Sequence, residues 1–471
     1  MIAALVIAAC LAADPPPGVT RVMSPEDAMR AAVADLATLP ADRQLLVRYV
    51  WVPPWLGEDA HHVVSYAVNL AASRSGTIQH PTLVAGGTLQ RWDLDRLVPD
   101  PAIRASVGEV WDTIASSDPY FRRDGVSHPV PGLLVSVPLV RADRFAAQCL
   151  LAIDGRYPEL RGLTNLRDDS GRTEEEIALA RFGVFRSTSI EVDGDRRVGM
   201  VRSEVTGKAR AVLALRGLVG SAWITEDLLD EDTDASRHPI YHLLDGRPRG
   251  HEIIWELPNG LHGFLITDGE GRVLREAPPD LVTDHRTPAP HTSRLDGGAF
   301  SCIRCHGQSR GLRDCRNDVA AILATDVRIL GDGSRTPEQA AEEIATRYAG
   351  RDFERLLERG RLDYDAAIDE LTGGEHDSES LAAATADLVG GWKYPLVDSR
   401  RVCLELGFAV ADEVDATAVL RELLPTPVPT LGVAITEDPT IALLAAGVPI
   451  GRVDLDRIYG ELLIRSSPWR P

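Results

Sequence analysis

The sequence predicts an α+β fold: a mixed N-terminal α/β region, a β-meander, a short cysteine-bearing segment and a mainly helical C-terminal region. Three observations predict it. Helical and strand-like patterns alternate up to about residue 250. Two tight-turn signals then divide a run of apolar segments over residues 251–278. From about residue 335 onward the apolar periodicity is helical throughout. The expected divisions are 1–13, 20–278, 279–334 and 335–471.

"MIAALVIAACLAADPPPG" opens the chain with an apolar run, then small residues, then Asp14 and three prolines. That order resembles the apolar core of an export signal, although no basic residue precedes it. Residues 1–13 are therefore read as an export signal, with a short buried element as the alternative. "IAAC" also resembles a lipobox, in which Cys10 would carry lipid and hold the chain to a membrane.

"SPEDAMRAAVADLATLP" starts a helix: Ser24 caps, Pro25 suits the first position and Asp27 completes a capping box. A second helix is predicted within 58–76, ending at Gly76. Its adjacent His61 and His62 cannot share a face, and structural roles are expected for both. "GLLVSVPLVRADRFAAQCLL" reads as a strand followed by a helix, and "RRVGMVRSEV" and "ARAVLALRG" as strands. "SAWITEDLLDEDTDASRHP" is acidic and reads as a surface loop or short helix.

"HEIIWELPNGLHGFLITDGEGRVLREAP" predicts a three-stranded meander, turning at "PNG" and again at "DGEG". A loop rich in proline and polar residues follows and delivers the chain to Phe300. The tract from Thr336 to Gly374 is helical in period, with Thr336, Pro337 and Gln339 forming its start signal. Further helices are expected over 378–392, 412–424 and 438–446.

Composition narrows the function. With 50 basic and 70 acidic residues the formal charge is −20, which repels phosphate backbones and argues against a nucleic-acid partner. Hydrophobic residues at 44% suffice for packed cores. Of the six cysteines, Cys302, Cys305 and Cys315 fall within fourteen residues. That clustering points to chemistry at one place rather than to a disulfide scaffold.

"CIRCH", residues 302–306, is the attachment pattern of c-type haem. Thiols two residues apart match the separation of the two haem vinyl groups, and the adjacent histidine reaches the iron as an axial ligand. Cys302 and Cys305 are thus the expected thioether sites and His306 the proximal ligand, for one covalent haem c. A zinc site made from Cys302, Cys305, His306 and Cys315 is the alternative. The adjacency of Cys305 and His306 opposes it, because knuckle geometry spaces its ligands. A Cys302–Cys305 disulfide is a further alternative.

No methionine follows His306: the four are Met1, Met23, Met29 and Met200. A small cytochrome module with a downstream methionine ligand is thereby excluded. A sixth iron ligand is expected to be histidine, if present, from among His238, His242, His251, His262, His285, His291 and His376. His238 is preferred because Pro239 stiffens its backbone, and His291 on the loop feeding the motif is the runner-up.

Residues 238–310 resemble a family of large exported bacterial proteins with a single c-type haem site. Those proteins carry an "EI-apolar-LPNGL-x-G-aromatic" hairpin, then "GLSCxxCH" and a helical tail, similar to "HEIIWELPNGLHGF" and "GGAFSCIRCHGQ" here. "LVRYVWV", "LQRWDLDRL" and "WDTIASSDPYF" are more loosely similar to its N-terminal half, and "CLELGFAV" to its tail. The resemblance implies export, haem and architecture, and no substrate. Its His-Pro pair falls on His238 and Pro239. The chain departs from the pattern between about 185 and 235, where the family is rich in asparagine and tryptophan.

The expected function is that of an exported, periplasmic or cell-envelope monohaem c-type cytochrome that exchanges electrons with a redox partner protein. A haem enzyme or small-molecule sensor with an open axial position is the second reading, and a zinc-stabilised interaction protein the third.

Overall fold

The structure is a computed structural model. It describes residues 15, 17–120, 137–184, 197–200, 210–227, 248–278, 295–315, 317–324, 335–348, 350, 352–393, 396–424 and 438–466. Residues 1–13, expected to be an export signal, lie outside them with Cys10, as do His238 and His291.

The chain is mixed α and β, with several sheets. Strand β1 (Val19–Arg21) leads to helix α1 (Pro25–Ala37), which begins at the predicted capping box of Ser24 and Asp27. Strand β2 (Val47–Trp51), helix α2 (Ala60–Ala71), strands β3 (Thr82–Val84) and β4 (Leu89–Asp93), helix α3 (Pro101–Ser116), strand β5 (Leu139–Arg141) and helix α4 (Ala142–Leu150) follow. The four strands β2 to β5 form one sheet in the order β3-β4-β2-β5, with β2 and β5 parallel. Alternation along β2 sends Val47, Tyr49 and Trp51 toward Ala28, Ala32 and Leu36 of α1. Val50 joins the larger core with α2, α3 and α4. Helix α2 is buried on nearly every side, which suits its apolar run Val63, Val64, Val68 and Leu70.

Helix α5 (Glu174–Arg181) precedes a five-stranded antiparallel sheet. Its strands are β6 (Arg197–Met200), β7 (Arg210–Arg216), β8 (Ser221–Asp227), β9 (Gly250–Glu256) and β10 (His262–Asp268), paired in chain order. The "PNG" turn closes the β9–β10 hairpin as predicted, and Leu257 N–H donates to the Leu261 carbonyl at 2.7 Å.

Two expectations are corrected. "SAWITED" is not a surface loop: Ala222, Trp223 and Ile224 are buried in β8, which lies between β7 and β9. The acidic residues after it disguise a short strand that is apolar on both faces. The third strand of the meander also does not join β10. After a single bridge between Thr267 and Val273 the chain turns away. Its two-residue strand β11 (Glu276–Ala277) pairs with β12 (Leu295–Asp296) instead. The meander therefore extends backward through β8, β7 and β6.

Helix α6 (Ala299–His306) carries the CIRCH motif. The predicted helical tract beyond it is two helices, α7 (Pro337–Arg347) and α8 (Phe353–Thr372), because Gly350 and Asp352 take left-handed backbone between them. Helix α9 (Ser378–Lys393) is followed by β13 (Leu396–Val397), α10 (Ser399–Glu405), β14 (Phe408–Val410), α11 (Ala416–Leu423), α12 (Pro439–Ala445), β15 (Ile450–Gly451) and α13 (Arg452–Arg465). These later helices share a core of their own that includes Leu406, Leu420, Leu444 and Tyr459. Strand β14 pairs with β1, so the start of the described chain is stitched to its C-terminal region.

Candidate functional site

Helix α6 is short, and its start is held from outside. Asp296 accepts from the backbone N–H of Gly298 at 2.7 Å, and from those of Ala152 at 2.7 Å and Ile153 at 2.9 Å. One carboxylate thus fixes both the helix entry and the end of α4. A Cβ on Gly298 would lie 2.5 Å from the Leu150 carbonyl oxygen, so only glycine permits this approach.

Within α6, Cys302, Cys305 and His306 occupy positions i, i+3 and i+4, which share one helix face. Cys302 and His306 are buried, and Cys305 is half-buried. No disulfide joins the two cysteines. Burial pushes the Cys302 thiol well up, with Glu252, Cys305 and Asp296 adding to the effect, so the group is a protonated thiol.

The five-stranded sheet supplies the surface that α6 faces. The register places Glu256 opposite His262, Ile254 opposite Phe264 and Glu252 opposite Ile266, so all six share one face. His306 meets this face. Its Nε2 donates to Glu252 Oε1 at 3.1 Å, and its ring centroid lies 6.3 Å from that of Phe264. Its Nδ1 is buried without a partner. Burial alone would raise the Glu252 pKa. The hydrogen bond from His306 and the charges of His306, Arg210 and Arg313 outweigh it, holding Glu252 ionised below its usual range.

His262 stands on the same face and is fully buried. Its ring stacks on Tyr364 of α8 with centroids 4.6 Å apart, and Trp223 lies 5.9 Å away edge-on. Tyr364 shares a 2.8 Å hydrogen bond with Tyr66 of α2. The backbones of Gly311 and Gly360 stand at the His262 ring, outside strict hydrogen-bonding geometry to its nitrogens. Burial pushes its pKa down to about 3, and repulsion from nearby His306 adds to this. The Gly311 and Gly360 backbones oppose the shift only in part. His262 is therefore a neutral imidazole.

The chain leaving α6 is shaped around this ring. Gly311 N–H donates to the His306 carbonyl at 3.0 Å, with left-handed backbone at φ +79°. A Cβ at Gly311 would stand 2.6 Å from His262 Nδ1. Arg313 Nε donates to the Cys305 carbonyl at 3.2 Å, and Arg310 reaches Asp365 of α8 at 2.5 Å.

The remaining candidates are distributed differently. The preferred sixth ligand His238 and the runner-up His291 lie outside the described residues, with His242 and His285. His251 points to the opposite face of the sheet, where its Nδ1 donates to Glu175 Oε2 at 2.5 Å and Thr267 donates to the same oxygen at 2.8 Å. His376 contacts Asp59 at 3.2 Å and the edge of His62. Cys315 turns its thiol toward Met200 Sδ at 3.9 Å. Among the described residues no three His, Cys, Asp or Glu side chains converge as metal ligands.

Sequence reasoning passed over Glu252, and it counted His262 only as one of seven histidines. The signal for Glu252 was an ionisable residue inside the buried strand "HEIIWE"; period-two alternation sends it to the face opposite His251.

No protein-family model, curated protein or solved structure matches the chain.

The residues present fit a c-type haem in their donor set: two thiols and the His306 imidazole lie on one helix face, and His306 Nδ1 is buried without a partner. A cavity of about 430 Å³ lies elsewhere, lined by Trp55, Asp59, Asp143, Asp387, Arg401 and Arg452 among others.

Proposed function

We propose that the chain is an exported monohaem c-type cytochrome that passes single electrons to or from a partner protein. The observation that carries this is the shared face of α6, which presents Cys302, Cys305 and His306 together toward a buried sheet. A haem bound there would supply a one-electron ferric–ferrous couple.

The chain's own residues supply attachment and orientation. Addition of each cysteine S–H across a haem vinyl C=C would form a C–S bond and place the hydrogen on the neighbouring carbon, with no oxidant consumed. Cys302 and Cys305 would hold the haem in this way, and His306 would ligate its iron. Glu252 accepts from His306 in the described structure and has the chemistry to orient that ring, as carboxylates do for metal-bound histidines. The turn of Cys315 toward Met200 favours haem over a zinc site that needs Cys315.

Export is part of the same proposal, because covalent haem attachment belongs outside the cytoplasm and residues 1–13 resemble a signal. No helix among the described residues is long and apolar enough to cross a membrane.

Denaturing electrophoresis with haem staining, together with a pyridine haemochrome spectrum, tests the reading. The mature protein should stain, and replacing Cys302 and Cys305 by alanine or deleting residues 1–13 should abolish the stain. Haem that leaves the wild type on acid-acetone extraction would overturn covalent attachment. A high-spin ferric spectrum would favour a haem enzyme or sensor over an electron carrier.

A further inference from the structure

We propose that the cavity bounded by α2, α4, α9, β13, α10 and α13 is a binding site for a small zwitterion, an α-amino acid with an apolar side chain. The proposal goes beyond the haem reading and does not depend on it, because no residue of the CIRCH motif lines this cavity.

Place and size come first. The cavity holds about 430 Å³, within the roughly 300–1,000 Å³ of small-molecule sites. Its lining joins the two ends of the chain: Asp59 just ahead of α2 and Asp143 on α4 meet Asp387 of α9, Leu396 of β13, Arg401 of α10 and Arg452 of α13. Seams between separately packed regions are where ligand sites commonly form.

The lining charges set the class of ligand. Most are already matched. Asp143 accepts from Arg141 at 2.7 Å and 3.1 Å, Arg452 gives its terminal nitrogens to Glu405 at 2.8 Å each, and Asp59 meets His376 at 3.2 Å. Two are not. Arg401 donates through Nε to Glu405 at 2.7 Å, while its Nη2 stands 3.7 Å from Asp143, beyond a hydrogen bond. Its terminal fork is thus open to an incoming group. Asp387 is exposed and forms no ion pair among the described residues. Arg401 and Asp387 therefore line one cavity without pairing with each other. A ligand with a carboxylate alone would meet the repulsion of Asp387 and Asp59, and one with an ammonium alone would meet Arg401. A ligand carrying both charges satisfies each side chain.

Two buried donors support a carboxylate in the cavity. Arg452 is 7% exposed, and its Nε has no hydrogen-bond partner. The indole Nε1 of Trp55 is likewise buried without one, on a ring held edge-on by Trp51 with centroids 5.3 Å apart. A carboxylate accepts several hydrogen bonds on its two oxygens, and a guanidinium fork matches it in geometry.

The remaining walls are apolar. Trp55 and Leu388 line the cavity, and Leu396 beside them is 72% exposed. A ligand side chain laid against Leu396 would take that apolar surface out of water.

Isothermal titration of the purified full chain with L-phenylalanine and L-leucine tests the proposal. At least one should bind saturably with a Kd below about 1 mM. For L-phenylalanine the matched controls are 3-phenylpropionate, which lacks the ammonium, and phenethylamine, which lacks the carboxylate. Each should bind about tenfold more weakly, or worse, than the amino acid. Arg401→Gln should weaken the amino acid by a similar factor and remove its advantage over phenethylamine. Asp387→Asn should remove its advantage over 3-phenylpropionate. Asp387 is exposed and unpaired, so this second variant keeps the test in hand if Arg401→Gln fails to fold.

Absence of saturable binding by both amino acids overturns the proposal. Equal binding of L-phenylalanine and either control by the wild type overturns the zwitterion, and unchanged affinity and selectivity in Asp387→Asn overturns the assignment to this cavity. None of these outcomes bears on haem staining, so the haem reading stands or falls separately.

Discussion

Around Glu405 and around His306 the chain buries ionisable groups at comparable depth, yet it treats their hydrogen-bonding capacity differently. Glu405 of α10 accepts from Arg141 at 3.0 Å, from Arg452 at 2.8 Å on each oxygen, from Arg401 at 2.7 Å and from the Tyr120 hydroxyl. Arg141 also holds Asp143 at 2.7 Å, and its guanidinium lies 3.9 Å over the Tyr120 ring. These residues come from β5, α10, α13 and the end of α3's trailing segment, so one carboxylate ties the N-terminal sheet to the C-terminal helices. Although burial opposes it, the charges of Arg141 and Arg452 hold Glu405 well below the usual carboxylate range. At the other cluster, His306 Nδ1 has no partner, and the His262 ring meets only the backbones of Gly311 and Gly360. A buried carboxylate with four side-chain donors reads as architecture.

The largest expected effect comes from breaking the saturated cluster. Glu405→Ala leaves three arginines facing a site without its carboxylate, two of them buried. Stability should fall by about 3–5 kcal/mol, as when one partner of a buried ion pair is removed. Urea or thermal unfolding reads this directly. A loss below about 1 kcal/mol would mean that water and the remaining acids replace Glu405, and the architectural reading would fail.

How much of this was legible in the sequence differs between the two clusters for a physical reason. Local signals transferred well. Ser24 with Asp27 and Thr336 with Gln339 are capping boxes, and both are formed. The "PNG" hairpin closes as expected, and Asn259 also binds the Asn69 carbonyl on α2 at 3.1 Å. The i, i+3, i+4 placement of the motif follows from its helix. What did not transfer was long-range. Nothing near Arg141 announces Glu405, 264 residues away. Strand β8 was hidden because its apolar residues stand on both faces and an acidic tail follows. His262 was one histidine among many until β10, α6 and α8 converged on it.

An intermediate effect is expected where the saturated cluster meets a carboxylate it does not fully satisfy. Asp456 on α13 sits 3.5 Å from Arg144, and its Oδ1 is buried without a partner. Burial pushes its pKa up to about 7; Arg141, Arg452 and Arg144 oppose this, and Asp118 adds to it. The folded chain thus holds this proton between about pH 4 and pH 7 while the unfolded chain releases it. The stability contributed by Asp456 therefore falls as pH rises through that window and stays low above it. Asp456→Asn should stabilise the protein by about 1–2 kcal/mol at pH 8, allowing for partial solvent screening, with no gain at pH 4. Unfolding midpoints of both proteins across pH 4–8 check this, and a gain independent of pH would remove the titration argument.

The smallest effect should come from a histidine whose only ion-pair partner is exposed. His62 Nε2 donates to Glu375 Oε2 at 2.9 Å, linking α2 to the turn after α8, and the Glu375 side chain is 72% exposed. Its contact is shorter than that between His306 and Glu252, so bond length alone would rank it at least as high. Exposure reverses the ranking, because water replaces either partner at little cost. His62→Ala should lower stability by no more than about 1 kcal/mol, with the edge contact to His376 accounting for part of that. A loss above about 2 kcal/mol would show that this pair contributes more than its exposed carboxylate allows, and the ranking by exposure would fail.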